Sequence, residues 1–129
     1  MDNFKVMVVD DEMDFLETII KRLKARKIEV TGAESGEKAL ELLAAQDIDV
    51  MVLDVKMPGM DGIETLREIK KRKPLTEVIM LTGHASVESG IQGMQLGAFD
   101  YVMKPVALDE LLEKMRQAYE RKLIQEGKA

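Results

Sequence analysis

Five side chains capable of carboxylate, hydroxyl or amine chemistry directly follow short apolar segments of this chain. They are Asp10, Asp11, Asp54, Thr82 and Lys104. Two carboxylates about 4 Å apart repel by roughly 4 kcal/mol at an effective dielectric constant of about 20, so three of them together require compensating positive charge. Oxygen ligands without histidine or cysteine suit Mg²⁺ or Mn²⁺ better than zinc. A carboxylate nucleophile beside a metal, a lysine and a hydroxyl provides what phosphoryl transfer to aspartate requires.

The segments that must position these side chains are typical of strands covered on both faces. Three of them are apolar and rich in valine or isoleucine, at 5–9, 49–53 and 77–81, and each is stopped by an aspartate or a threonine. Weaker strand candidates lie at 28–31 and 99–103. We therefore expect five strands.

Apolar residues recur at helical spacing after each of these segments. The predicted helical stretches are 15–23, 39–44, 63–69, 87–94 and 108–118. A strand–helix order repeated five times predicts a parallel α/β sheet with helices on both faces and right-handed crossovers. Because ligands of such sheets bind outside the carboxyl ends of the strands, the chemically active residues should converge on one edge.

Composition limits the function classes. The 129 residues, 46% of them hydrophobic, fit one domain with its own core. With 19 basic and 24 acidic side chains, the net charge of −5 disfavours binding to nucleic acid or an anionic membrane. The absence of cysteine excludes disulfides and thiolate zinc sites, and His84 is the only histidine. No apolar segment reaches transmembrane length and no signal peptide is recognisable, so we expect a cytoplasmic protein.

Taken singly, each candidate residue has a structural explanation. The pair 10–11 can cap a helix, Asp54 can belong to the turn at 57–59, and Thr82 can cap the fourth helix. The basic run 70–73 is interpreted as a solvated face at the end of the third helix. The convergence of the candidates on one sheet edge is what favours a functional site.

Four segments in order together resemble the receiver domain of two-component response regulators, of the chemotaxis-regulator type. They are 8–12, 53–62, 81–84 and 97–105, and the resemblance extends from about residue 4 to 122. It implies a flavodoxin-like sheet of five parallel strands in the order 2-1-3-4-5 with five helices. It also implies one receiver domain over 1–129, with no output domain.

The resemblance implies a chemical role for each site residue. Asp54 would accept a phosphoryl group in a Mg²⁺-dependent reaction, with Mn²⁺ as a possible substitute. Asp11 would bind the metal directly, together with Asp54 and the backbone carbonyl of Lys56, whereas Asp10 would act through water. Lys104 would contact a phosphoryl oxygen.

The same resemblance implies a switch. Thr82 would bind another phosphoryl oxygen, and the Tyr101 ring would move inward when Thr82 moves. The fourth helix, fifth strand and fifth helix would then present a changed surface to a partner. Gly90 and Gly93 weaken the fourth helix, which is compatible either with mobility or with close packing. Lys56 and His84 would tune the lifetime of the phosphorylated form.

The implied phosphoryl donor is a sensor histidine kinase or a phosphotransfer protein, and the implied output is a downstream protein target. We expect no direct contact with nucleic acid or membrane. Formation of a homodimer on phosphorylation is left as an open alternative. The chain would catalyse only its own phosphorylation and dephosphorylation. Two alternatives remain: a receiver excised from a larger regulator or hybrid kinase, and an aspartate-nucleophile phosphatase. The phosphatase needs a second aspartate two positions after the first, where Glu12 follows Asp10 and Lys56 follows Asp54.

Overall fold

The computed structural model describes residues 4–57, 59–83 and 87–128, in which strands and helices alternate. The strands are β1 (Lys5–Val9), β2 (Glu29–Ala33), β3 (Val50–Asp54), β4 (Glu77–Thr82) and β5 (Asp100–Met103). The helices are α1 (Met13–Ala25), α2 (Gly36–Ala45), α3 (Gly62–Arg72), α4 (Val87–Gln95) and α5 (Leu108–Gln125). Within the described ranges, no helix is both long enough and apolar enough to cross a bilayer.

The five strands form one parallel sheet in the order β2-β1-β3-β4-β5, which confirms the predicted fold class. Val9 at the end of β1 is level with Leu53 in β3. Thr82 at the end of β4 is level with Met103 at the end of β5. The carboxyl ends of four strands therefore lie side by side.

The strand boundaries differ from the predicted ones by one or two residues. β3 and β4 continue through Asp54 and Thr82, because the backbone ladder runs one residue beyond the apolar segments. β2 starts later than predicted because the N–H of Ile28 donates to the carbonyl of Leu23 at 3.2 Å, in the turn after α1. Asp54 and Thr82 are thus held in place by the backbone pairing of the sheet itself.

Two apolar layers cover the two faces of the sheet. Alternate residues of β3 and β4 point into opposite layers, so every position of both strands is buried. One layer includes Leu43, Met51, Leu66, Ile69 and Met80, and the other includes Leu23, Val52, Ile79, Leu111 and Met115. Burial of each such large side chain contributes roughly 1.5–3 kcal/mol, so this core fixes the strands that carry the site.

Two glycines permit close contacts near the functional edge. A Cβ on Gly62 would collide with the Asp54 carbonyl oxygen and would lie 2.6 Å from the Cα of Val55, so only glycine lets α3 begin against the end of β3. A Cβ on Gly93 would collide with the side chain of Met80, so packing accounts for this glycine of α4. A Cβ on Gly90 would make only an ordinary van der Waals contact, 3.9 Å from a ring carbon of Tyr101.

The amino-terminal edge of the sheet contains a buried ion-pair network. Glu77 is fully buried and accepts hydrogen bonds from Nε and, at 2.6 Å, from Nη2 of Arg121. Lys70 Nζ lies 3.5 Å from the same carboxylate and donates to the Thr76 carbonyl at 2.8 Å. The interpretation of 70–73 as a solvated face is therefore wrong for Lys70, because a buried acid draws its ammonium inward.

Candidate functional site

Three carboxylates converge at the carboxyl-terminal edge of the sheet. One oxygen from each of Asp10, Asp11 and Asp54 lies within 4.8 Å of the others. Asp10 directly follows β1 and is fully buried, whereas Asp54 ends β3 and is 7% exposed. Asp11 is exposed, so the cluster has two buried acids and one at the solvent boundary.

Lys104 reaches this cluster from the end of β5, directly before a cis bond to Pro105. Its backbone N–H donates to the carbonyl of Thr82 at 2.8 Å, which ties the lysine to the neighbouring strand. Its Nζ lies 2.7 Å from Asp10 Oδ2 and 3.8 Å from Asp54 Oδ1. The lysine therefore belongs to the site, with its shortest bond to the acid that follows β1.

Glu12 is a second partner of this lysine that sequence reasoning missed. Its Oε1 accepts a hydrogen bond from Lys104 Nζ at 2.9 Å, and its backbone N–H donates to Asp10 Oδ1 at 2.9 Å. Both Asp10 oxygens therefore have partners. The sequence did contain a signal, since Glu12 is the third acid in succession after β1.

The charges of the site act oppositely on its two central groups. Burial, followed by the charge of Asp10, raises the pKa of Asp54 to about 6, although Lys104 and the N–H of Lys56 lower it. For Lys104, burial lowers the pKa, but hydrogen bonds to Asp10 and Glu12 outweigh it and raise the pKa above its ordinary value. The site thus holds an ammonium group and an excess of negative charge.

The remaining candidates occupy different depths. Thr82 is buried at 3% exposure, and the Tyr101 side chain lies outward at 45% exposure. Lys56 is exposed, although its backbone N–H faces Asp54. His84 lies outside the described residues.

Two open hollows flank the acidic cluster. One of about 680 Å³ lies between the start of α3 and α4 and is lined by Lys56, Asp61 and Gln92, among others. The Asp61 side chain accepts a hydrogen bond from the N–H of Glu64 at 2.9 Å and so caps the start of α3. A second hollow of about 540 Å³ is bordered by α1 and the loop after Lys104. Solvent reaches the cluster itself at Asp11, which is exposed.

Comparison with known proteins gives a consistent result. The family model described as the response regulator receiver domain matches residues 6–116. The chain is 37% identical to the DNA-binding transcriptional regulator NtrC of Escherichia coli K12, over 88% of this chain and 24% of that protein. It is 36% identical to the response regulator MprA of Mycolicibacterium vanbaalenii, over 95% of this chain and 53% of that protein. The chain thus spans about a quarter to a half of these relatives.

Solved structures agree with the sequence matches. The crystal structure of a response regulator receiver domain protein from Clostridium thermocellum superposes with a TM-score of 0.90 at 38% identity, covering 95% of this chain and 98% of that one. A CheY-like receiver domain protein from Methanospirillum hungatei superposes with a TM-score of 0.90 at 29% identity, covering 96% and 99%. Fold and sequence therefore point to the same family.

Proposed function

The chain belongs to the response regulator receiver domain family, and from that membership we propose that it is a phosphoacceptor whose nucleophile is Asp54. The supporting observation is the surroundings of this carboxylate at the end of β3. It is buried beside the carboxylates of Asp10 and Asp11 and 3.8 Å from the ammonium of Lys104. Such an excess of negative charge is costly to the fold and becomes useful when a cation and a phosphoryl group bind there.

The donor set fits a hard divalent cation. Asp11, Asp54 and the backbone carbonyl of Lys56 would hold Mg²⁺ directly, and Asp10 would act through a water molecule. The three carboxylates provide oxygen atoms only, which is what Mg²⁺ and Mn²⁺ prefer. Bound Mg²⁺ would neutralise charge on the carboxylates and on the phosphoryl oxygens.

The proposed reaction forms one bond and breaks one. An Asp54 carboxylate oxygen attacks the phosphorus of the donor, while the bond from phosphorus to the leaving nitrogen of a phosphohistidine, or the leaving oxygen of an acyl phosphate, breaks. The leaving group keeps the electron pair. Lys104 and Thr82 bind oxygens of the transferred group. Attack of water on the phosphorus later breaks its bond to the Asp54 oxygen, which restores the carboxylate and releases inorganic phosphate. We propose that the chain acts on no other substrate.

Phosphorylation would change the surface formed by α4, β5 and α5. The new group carries roughly −1.5 to −2 charges and three acceptor oxygens, which attract the hydroxyl of Thr82. The exposed ring of Tyr101 then turns inward into the space that Thr82 leaves. The face formed by α4, β5 and α5, which exposes Ile91 and Met94, would bind the downstream protein.

The proposed donor is a sensor histidine kinase or a phosphotransfer protein. We propose that Lys56 and His84 tune how long the phosphoryl group remains. The name of NtrC describes DNA binding for a protein of which this chain spans a quarter, so our proposal for this chain is limited to protein contacts.

Intact-mass spectrometry after incubation with Mg²⁺ and a small acyl-phosphate donor tests the proposal. The wild-type chain should gain the mass of one phosphoryl group, and both Asp54→Asn and removal of Mg²⁺ by a chelator should prevent the gain. Asp47→Asn is the matched control, because Asp47 has a side chain that is 96% exposed and lies before β3. An unchanged adduct in Asp54→Asn would contradict the assignment.

A further inference from the structure

Glu12 occupies an unusual position at the start of α1. It is the N-cap residue of this helix, yet its side chain accepts no capping hydrogen bond. Its carboxylate instead accepts the hydrogen bond from Lys104 at 2.9 Å, across 92 positions of the chain. Because the side chain does not cap α1, helix capping does not account for the carboxylate at this position. Its contact with Lys104 therefore needs a different explanation.

The start of α1 holds the ammonium of Lys104 from two sides. The Glu12 carboxylate lies on one of them, and Nζ also lies 4.7 Å from the ring centroid of Phe15. Asp10 provides the third contact at 2.7 Å, whereas the nearest Asp54 oxygen is 3.8 Å away, beyond hydrogen-bond distance. The lysine is thus bound beside the phosphoacceptor rather than to it.

The hydrogen bonds of Lys104 to Asp10 and to Glu12 differ in how easily they can be broken. The Asp10 side chain is fully buried, whereas that of Glu12 is 66% exposed. A carboxylate that water can solvate is released at small cost, and a buried one is not. Of the two partners, Glu12 is therefore the one that Lys104 can give up.

We infer that Glu12 is a positioning residue that restrains Lys104 in the unphosphorylated state, and that phosphoryl transfer requires the ammonium to exchange Glu12 for a phosphoryl oxygen. This inference rests on the proposed function and adds a restraint on its rate. A phosphoryl group has more charge and more acceptor oxygens than one carboxylate, so it wins the exchange. Without the Glu12 carboxylate, the lysine is available to the incoming group from the outset.

The test measures the initial rate of phosphoryl adduct formation with Mg²⁺ and a small acyl-phosphate donor, read by intact mass. Glu12→Gln keeps the shape of the side chain and removes its charge. Because the Glu12 side chain is largely exposed, we expect an acceleration of about three- to five-fold. Glu17→Gln removes the same charge from an exposed position of α1 and should change the rate by less than about 1.5-fold.

A double-mutant cycle distinguishes restraint of the lysine from general repulsion of an anionic donor. In a Lys104→Met background, which we expect to react more slowly, Glu12→Gln should have no further effect if Glu12 acts through Lys104. Lys104→Gln provides the same comparison if the methionine variant does not fold.

Three results would overturn the inference. In the first, the wild-type chain forms an adduct on Asp54, but Glu12→Gln forms it no faster than Glu17→Gln does. This result leaves the phosphoacceptor assignment intact. Another is an acceleration that persists undiminished without Lys104, which also leaves that assignment intact. The third is the absence of any Asp54-dependent adduct in the wild-type chain, which removes the proposed function together with the inference.

Discussion

The two edges of the sheet place buried carboxylates in opposite electrostatic surroundings. At the amino-terminal edge, Glu77 is paired with both Arg121 and Lys70, so one acid meets two cations. At the carboxyl-terminal edge, Asp54 lies among other carboxylates that share Lys104. The first arrangement stabilises charge that folding has buried, and the second leaves charge to be neutralised by something that binds.

The pKa shifts express the same difference. Burial lowers the pKa of Lys70, and the neighbouring Glu77 opposes that effect. Burial raises the pKa of Asp54 to about 6, and the next largest effect, the charge of Asp10, acts in the same direction. Removal of a carboxylate should therefore have opposite effects on stability at the two edges.

The largest effect is expected at the amino-terminal edge. Glu77→Ala leaves Arg121 and Lys70 without their buried partner and should lower the free energy of unfolding by about 3 kcal/mol. Glu68→Ala, which removes ion pairs with Lys71 and Arg72 on α3, should cost less than about 0.5 kcal/mol. Urea denaturation measures both. Equal costs would show that the buried network does not stabilise the fold.

A methyl group at the start of α3 should disturb both the fold and the functional edge. Gly62→Ala forces its Cβ against the backbone of Asp54 and Val55, which cannot yield as a flexible side chain can, and should cost about 2 kcal/mol. It should also weaken Mg²⁺ binding. Gly83→Ala meets no atom within 4 Å and provides the control. Similar stabilities of the two variants would contradict the close approach.

Removal of the carboxylate of Asp54 should stabilise the metal-free protein. The folded pKa of about 6 exceeds the ordinary 3.8, so the folded state binds the proton more tightly, and wild-type stability falls as pH rises through that window. Asp54→Asn lacks this loss and should be more stable near neutral pH by on the order of 1–2 kcal/mol. Thermal unfolding between acid and neutral pH in the presence of a chelator measures the difference. Parallel wild-type and variant curves would contradict it.

Mg²⁺ should compensate the surplus charge at one edge only. At about five times its dissociation constant, the ion should stabilise the wild-type chain by about 1 kcal/mol, because it binds the folded state. The same Mg²⁺ should stabilise Glu77→Ala by a similar increment and Asp54→Asn by much less. Equal stabilisation of all three proteins, measured by thermal unfolding, would place the ion elsewhere.

Most of the fold could be predicted because local sequence patterns identify the segments that form its core. The runs at 5–9 and 49–53 are short, apolar and valine-rich, which identifies central strands of a parallel sheet. The ends were less predictable, because backbone pairing carries β3 through Asp54 and the turn after α1 takes up Ile28. Neither effect depends on the hydrophobicity of the residue concerned.

The site was predictable in its membership and less so in its pairing. Asp10 and Lys104 each follow a strand and Asp54 ends one, so topology alone brings them to one edge. That Lys104 also binds Glu12, 92 positions away, depends on the side-chain geometry of α1, which no local pattern encodes. Glu77 and Arg121 are likewise 44 positions apart, which is why the buried network was missed.

The location of the phosphoryl group tests the central claim most directly. After reaction with Mg²⁺ and a small acyl-phosphate donor, borohydride reduction converts a phosphorylated aspartate into homoserine, which peptide mass spectrometry can place in the sequence. We expect the modification at Asp54 alone and only when Mg²⁺ is present. Modification at Asp11 or at another acid, with Asp54 unmodified, would contradict the assignment of the carboxyl-terminal edge as the phosphoacceptor site.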